Sequence, residues 1–543
     1  MGGTRLESSG MQRRHRAFHL SFIATVGLSA LVSAGCRVSD TDVKRWETTQ
    51  HGPQKLVAVI THDKYPIELR TEASMSLIRM PARGGQRQGI KYLVDKYKDE
   101  DSEEKDGALV QLPEDTRAQI VDRLVPLLVE ELKAPPPART ADGRLPADPT
   151  IPFKDASFAI LTHEPPLVSN EKTKADLKGA LMKWSQTSFE DRIENGSQQY
   201  GLEQMMHTLG AESVKQLPGL VNENTTRIDR IATLVKEVGD DPTKLELSKA
   251  FVVLADKYNS KEWLDSQTKT VKEYNAKNNQ KADDNQVAQQ VDKIQERRLT
   301  EEIFPAMKKV GLKPSIDYLV KYAGDGSKPD ARRKLALAAL EGNLDKNNQG
   351  DLDRIFAIAK NNDTPDEVRD QAFRRMGEFP KDWILTRLFT LSDPPKWKVR
   401  WVAFDVALTT MNLKQVPEFM AHLPKTPATK MGQTEPLGYA QRIKAMEGDA
   451  KAHIDAVTPF LGSKELGPKL TAIGYFWQGK KDDRHFVQPF ESDGALLPKC
   501  DAADECKWEC DIPKAGNPKE TEPKELKTVG DWVKFCVLPN MEK

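Results

Sequence analysis

The sequence predicts an all-α fold: an α-solenoid of antiparallel helix pairs, closed by a small disulfide-stapled C-terminal segment. Three observations carry this expectation. A proline–arginine–alanine–leucine spacing recurs at helical intervals, each copy preceded by a second short apolar stretch. The 543-residue chain is 38% hydrophobic and 30% charged, a balance that suits an extended array with much surface per residue. Four of the five cysteines, Cys500, Cys506, Cys510 and Cys536, crowd together at the C-terminal end.

The N-terminal segment reads as an address. Arg13, Arg14, His15 and Arg16 form a positive region, and Ala17 to Val32 is an apolar stretch too short for an ordinary spanning helix. Ser33-Ala34-Gly35-Cys36 follows, and resembles the lipobox of bacterial lipoproteins, with Ser33 where that family has Leu. The resemblance implies cleavage before Cys36, lipid on its thiol, and residues 1–35 as the signal peptide. Lipid would then tether the mature protein to the bacterial cell envelope. Arg37 rather than Asp after the cysteine implies the outer membrane, with the exposed face left open. An uncleaved anchor, or an exported soluble protein with an incidental Cys36, are the alternatives.

The helical repeats begin at residue 36 and run to 133. Pro66, Arg70, Ala73 and Leu77 set the spacing, and Pro113, Arg117, Ile120 and Leu124 repeat it. Leu56–Ile60 and Ile90–Tyr97 are the expected preceding helices. Proline suits the first helical turn, where its missing N–H is not needed. Steps of four, three and four keep the remaining positions on one face. Residues 99–106 form an acidic loop, read as a solvated turn. Residues 134–151, with Pro135-Pro136-Pro137, read as a connector.

Residues 152–311 are expected to be helical without a clear copy of the pattern. Within them Asn259–Arg298 is polar, and Val271, Tyr274, Val287, Val291 and Ile294 offer only a thin apolar stripe. Exposed helices projecting from the body are expected there, with disorder around Asn275–Gln286 as the alternative.

A second block spans 312–461. Pro329, Arg333, Ala336 and Leu340 match the spacing, as do Pro365, Arg369, Ala372 and Met376; Pro395, Arg400 and Ala403 form a slipped fifth copy. Ile316–Tyr322, Leu352–Ile358 and Ile384–Leu391 precede these starts. Paired helices with Pro and Arg opening the second resemble HEAT repeats over residues 52–133 and 312–412. That resemblance implies stacked pairs whose shared core none could build alone; a plain helical bundle is the bland alternative.

Residues 462–543 read as a C-terminal cap. An even set of cysteines in an exported chain favours two disulfides, and intervals of five, three and 25 residues do not suit zinc. Tyr475-Phe476-Trp477 is expected to close the array against this segment.

The search for chemistry returns little. The chain carries 81 basic and 81 acidic residues. Residues 1–35 hold four Arg and one Glu, so the remainder has 77 against 80. No positive excess exists for a nucleic-acid backbone. P-loop, nucleophile-elbow, dinucleotide and H-E-x-x-H signatures are missing. No histidines pair at metal-ligand spacing; His62 and His163 are expected near helix ends. Asp345–Asp353 resembles an EF-hand loop, but Phe356 stands where calcium needs a bidentate Glu, so an ordinary helix-pair turn with Gly350 and Asp351 as its caps is expected. Trp397 and Trp401, with Arg400 between, share a helix face. Core packing is the default there and an aromatic partner-binding anchor the alternative.

The functional expectation is a non-enzymatic, membrane-tethered interaction scaffold for other envelope proteins, without a cofactor or resident metal. An enzyme or enzyme subunit with a site assembled from distant residues, or a mechanical spacer, are the competing readings.

Overall fold

The computed structural model describes residues 38–83, 87–98, 103–194, 196, 198–391, 397–423, 434–498, 508–514 and 517–541. Among the described residues it is all-α apart from two small antiparallel hairpins, Tyr97–Lys98 with Glu104–Lys105 and Glu509–Lys514 with Asn517–Glu525. The chain divides into two compact units. The first comprises residues up to 134 together with 149–177, so the helix Ile151–Thr162 belongs to it. The second holds 135–148 and everything from Lys178 onward.

In the first unit, Gly52–Thr61 pairs with Ile67–Arg79, and Gln88–Leu93 and Glu114–Glu131 pack beside them. In the second, Lys313–Gly324 pairs with Asp330–Ala339, Gln349–Lys360 with Asp366–Met376, and Lys381–Phe389 with Trp397–Thr410. The anticipated face is the buried one. Ala73, Ile120, Ala336, Ala372 and Ala403 are fully buried, as are Leu77, Leu124, Leu340 and Met376. Alanine at the shared position lets neighbouring helices approach, and the larger residue one turn later fills the layer.

The arginine of the motif has a specific task. Arg70 donates from Nε to the Ile60 carbonyl at 2.6 Å, Arg333 to Ala323 at 2.9 Å, and Arg369 to Ala359 at 3.1 Å. Each acceptor is the next-to-last residue of the preceding helix, where backbone carbonyls lack an intrahelical partner. All three arginines are buried. One buried cation thus closes the open end of its partner helix. Arg117 is only half-buried and, among the described residues, makes no such bond.

Three expectations need correction. The motif prolines stand one residue before the helix, not in its first turn. Pro66, Pro113, Pro329 and Pro365 have extended backbones, and their carbonyls accept the first helical bond from the motif arginine's own N–H. The expected helix Ile90–Tyr97 stops at Leu93. Its terminal carbonyls at Tyr92 and Leu93 are taken by the N–H groups of Ala108 and Leu109, and Tyr97 joins a strand. Gly107 permits this approach, because a Cβ there would sit 2.5 Å from the Val94 backbone. Finally, Asn348 rather than Asp351 caps the helix Gln349–Lys360, accepting from the Gly350 N–H at 2.9 Å.

The polar middle segment is an ordered helical hairpin, Lys261–Lys277 with Asp284–Arg297. Val271, Val287 and Val291 share its small core with Leu264, Ala282 and Ile294. Tyr274 leaves the expected stripe and is 61% exposed. Asn275 is buried in its stead, donating to Gln290 Oε1 at 3.0 Å.

At the C-terminal end, Cys510 in the hairpin is bonded to Cys536 in the last helical turns. Trp532 packs edge-on to Trp508 at 5.6 Å and stacks with Trp477 at 6.4 Å. The Tyr475–Trp477 segment therefore does meet the cysteine segment. Cys500 and Cys506 lie outside the described residues.

Candidate interaction groove

The residues singled out by sequence do not assemble into one site. Cys36 lies outside the described residues. The backbone of Trp397, Arg400 and Trp401 lies in the helix Trp397–Thr410, but their side chains fall outside the described residues. Phe404 on the same helix is core, edge-on to Phe419 at 5.3 Å and to Tyr439 at 5.6 Å. His62 and His163 stand at helix C-terminal ends, His163 Nδ1 lying 2.8 Å from the Pro165 carbonyl.

The Asp345–Asp353 loop spends its carboxylates on structure. Asp345 accepts from the Asn347 N–H at 2.9 Å, Asp351 pairs with Arg354, and Asp353 pairs with Arg387 at 2.6 Å. Phe356 is buried within its helix. Among the described residues no group of three His, Cys, Asp or Glu is placed to hold a metal ion.

Among the described residues, two concavities of the second unit offer room for a ligand or partner. The more polar one, about 290 Å³, is lined by Ser188, Glu190, Asp191 and Asn222 among others. Its carboxylates are already engaged. Glu190 accepts from the Thr226 and Arg227 N–H groups at 2.6 and 3.2 Å, and Asp191 pairs with Arg139 at 2.7 Å.

The second is an apolar groove of about 440 Å³ between the helices Asp241–Tyr258 and Lys313–Gly324. Its base follows from local sequence. Ser248 and Ser315, both fully buried, hold their hydroxyl oxygens 2.7 Å apart, and Ser248 Oγ also accepts from the Ser315 N–H at 3.1 Å. This clamp fixes the two helices where small residues let them touch. Leu247, Phe251, Leu254 and Tyr258 face the core. The same helix carries a second apolar face. Leu245, Lys249, Val252, Val253 and Asp256 recur at one side, and Val253 is 69% exposed.

Opposite stand Pro314, Asp317, Tyr318 and Lys321. The Tyr318 hydroxyl accepts from Asn259 Nδ2 at 3.2 Å. Burial, reinforced by nearby Asp256, pushes the Tyr318 hydroxyl pKa well above the phenol range, so it stays a neutral wall. The groove is thus apolar along its floor, with charges of both signs at its rim. It can hold apolar side chains between the rim charges of Lys249, Asp256, Asp317 and Lys321. Sequence reasoning passed over it, though one signal was there: Leu245, Val252 and Val253 are more apolar residues than a single core stripe needs.

Among the described residues no helix is long and apolar enough to cross a membrane. No family model matches the chain, and no curated protein matches it. Among solved structures it is similar to the crystal structure of an engineered protein, at 13% identity over 84% of this chain and 90% of that one. The TM-score is 0.18, too low for that likeness to carry any argument.

Proposed function

We propose that this chain is a membrane-tethered, non-enzymatic interaction scaffold of the bacterial cell envelope, HEAT-like in its repeats and lipid-anchored through Cys36. The observation that carries the interaction part is the pair of exposed apolar side chains Leu245 and Val253, with half-buried Val252 beside Val253 in the groove, on a helix whose core face is already complete. The fate of the charged groups supports a non-catalytic reading. Arg70, Arg333 and Arg369 close helix ends, and the acids of the polar cleft bind backbone or arginine. Each is used in holding the array rather than in facing a substrate. The tether rests on the positive region, the apolar stretch and the Ser33-Ala34-Gly35-Cys36 sequence.

Two measurements test the two halves separately. Radiolabelled palmitate should enter the wild-type chain and be lost in Cys36→Ala; persistent labelling would end the tether assignment. Affinity capture from solubilised envelopes should recover proteins that Val253→Glu fails to hold. Identical recovery with both forms would remove the groove from the scaffold reading.

A further inference from the structure

The groove's own make-up specifies an occupant. We propose that it binds a second copy of this chain, the two grooves facing each other about a two-fold axis. This rests on the scaffold reading's groove and names its occupant as the chain itself, so that envelope proteins would be held by the paired array; it stands without the tether.

The first argument is shape. A two-fold contact sets one patch against itself, so the patch must carry both a protrusion and the hollow that receives it. Val253 is the protrusion, 69% exposed at the groove edge, and the apolar hollow against Pro314 and Tyr318 lies beside it. A valine entering that hollow would leave water for a neutral apolar wall.

The second argument is charge. A groove built for a foreign partner of one sign would carry the other sign at its rim. This rim is balanced, with Lys249 and Lys321 against Asp256 and Asp317. Lys249 pairs with Glu246, and Asp317 pairs with Lys313 and Arg354. Asp256 and Lys321, among the described residues, have no ion-pair partner in their own chain. A two-fold axis through the groove brings Asp256 of each copy toward Lys321 of the other, giving two reciprocal pairs. One unspent charge of each sign beside a hollow and a protrusion makes the patch complementary to itself.

The test is sedimentation velocity on the full chain in a density-matched detergent, from about 1 to 100 μM. The wild type should show concentration-dependent dimerisation. Val253→Glu should weaken it about tenfold or more, with an unchanged circular dichroism spectrum because the site is exposed. Lys321→Glu and Asp256→Lys should each weaken it, since each sets like charges together. An equimolar mixture of K321E and D256K should restore it, because mixed dimers regain opposite charges at both pairs. Cys36→Ala should leave association intact, so failure of the tether is read separately. A wild type that stays monomeric throughout overturns the proposal, as does dimerisation indifferent to V253E or a mixture that gives no rescue.

Discussion

Arg369 lies ten residues beyond Ala359, and its Nε donates to that residue's carbonyl at 3.1 Å across the turn joining two helices. Its remaining donors reach the Asn361 and Thr364 carbonyls at 3.1 and 2.7 Å and the Asp366 carboxylate at 2.8 Å. The guanidinium thus collects the whole inter-helix turn, while its stem is buried against the layer. Losing it would strand several buried acceptors at once. Arg369→Ala should therefore cost about 2–4 kcal/mol, whereas half-buried Arg117→Ala should cost under about 0.5 kcal/mol. Arg369→Lys should lie nearer the alanine variant, because an ammonium cannot span a fork of separated carbonyls. Thermal melting followed by circular dichroism ranks the three; equal melting of R369A and R117A would remove the arginine's special role.

Ala336 and Ala372 test the packing half of the motif. Both are fully buried where successive helices meet, and close-packed interiors have no room for added methylene groups. Ala336→Leu or Ala372→Leu should destabilise by about 1–3 kcal/mol through overpacking. Leu335, next to Ala336 but 42% exposed, provides the control. Leu335→Ala should stay within about 0.5 kcal/mol of wild type by the same melting measurement.

What sequence could reveal divides along physical lines. The intervals between Pro329, Arg333, Ala336 and Leu340 are local, and they announced both the helix and its buried face. The arginine's target is tertiary: nothing in the spacing names Ala323, because the turn geometry between the helices decides which carbonyl comes within reach. The helix ending at Leu93 was overestimated for a similar reason. Its terminating partners, Ala108 and Leu109, arrive from a later loop. The hairpin at Lys261–Arg297 reads as exposed helices, with disorder around Asn275–Gln286 as the alternative; three valines and the Asn275–Gln290 bond, which only the pairing of the two helices brings together, order it. The groove was hidden because an apolar run such as Phe251-Val252-Val253-Leu254 reads as core throughout. Only the position of the neighbouring helix shows which valine remains in water.

The Cys510–Cys536 bond should govern the C-terminal cap more than the array. It ties the hairpin Glu509–Lys514 to the final helical turns beside Trp508 and Trp532. Cross-linking two points 26 residues apart removes about 3 kcal/mol of chain freedom from the opened state. Cys510→Ser should red-shift tryptophan emission and speed proteolysis after residue 508, while helical content changes little. A collapse of the whole circular dichroism signal in that variant would show instead that the array depends on its cap.

Lys469 and Asp493 make a pH-dependent contact at the same end. Lys469 Nζ donates to Asp493 Oδ2 at 2.8 Å, and the Ala495 N–H donates to Oδ1 at 2.9 Å. Burial pushes the Asp493 carboxyl up, but the Lys469 and Ala495 hydrogen bonds outweigh it and hold the carboxyl below its usual range. A folded value below the unfolded one, near about 3.9, means that the unfolded state takes the proton more readily. The stabilisation is therefore complete above the unfolded value and lost as pH falls through the folded one. Asp493→Asn should lower stability by about 1–2 kcal/mol at neutral pH, and the gap should close as pH falls below the ordinary carboxylate range and the wild-type carboxyl protonates. Urea unfolding monitored by tryptophan emission at several pH values reads the difference. A gap that is constant from neutral to acid would mean that shape, not charge, is what Asp493 supplies.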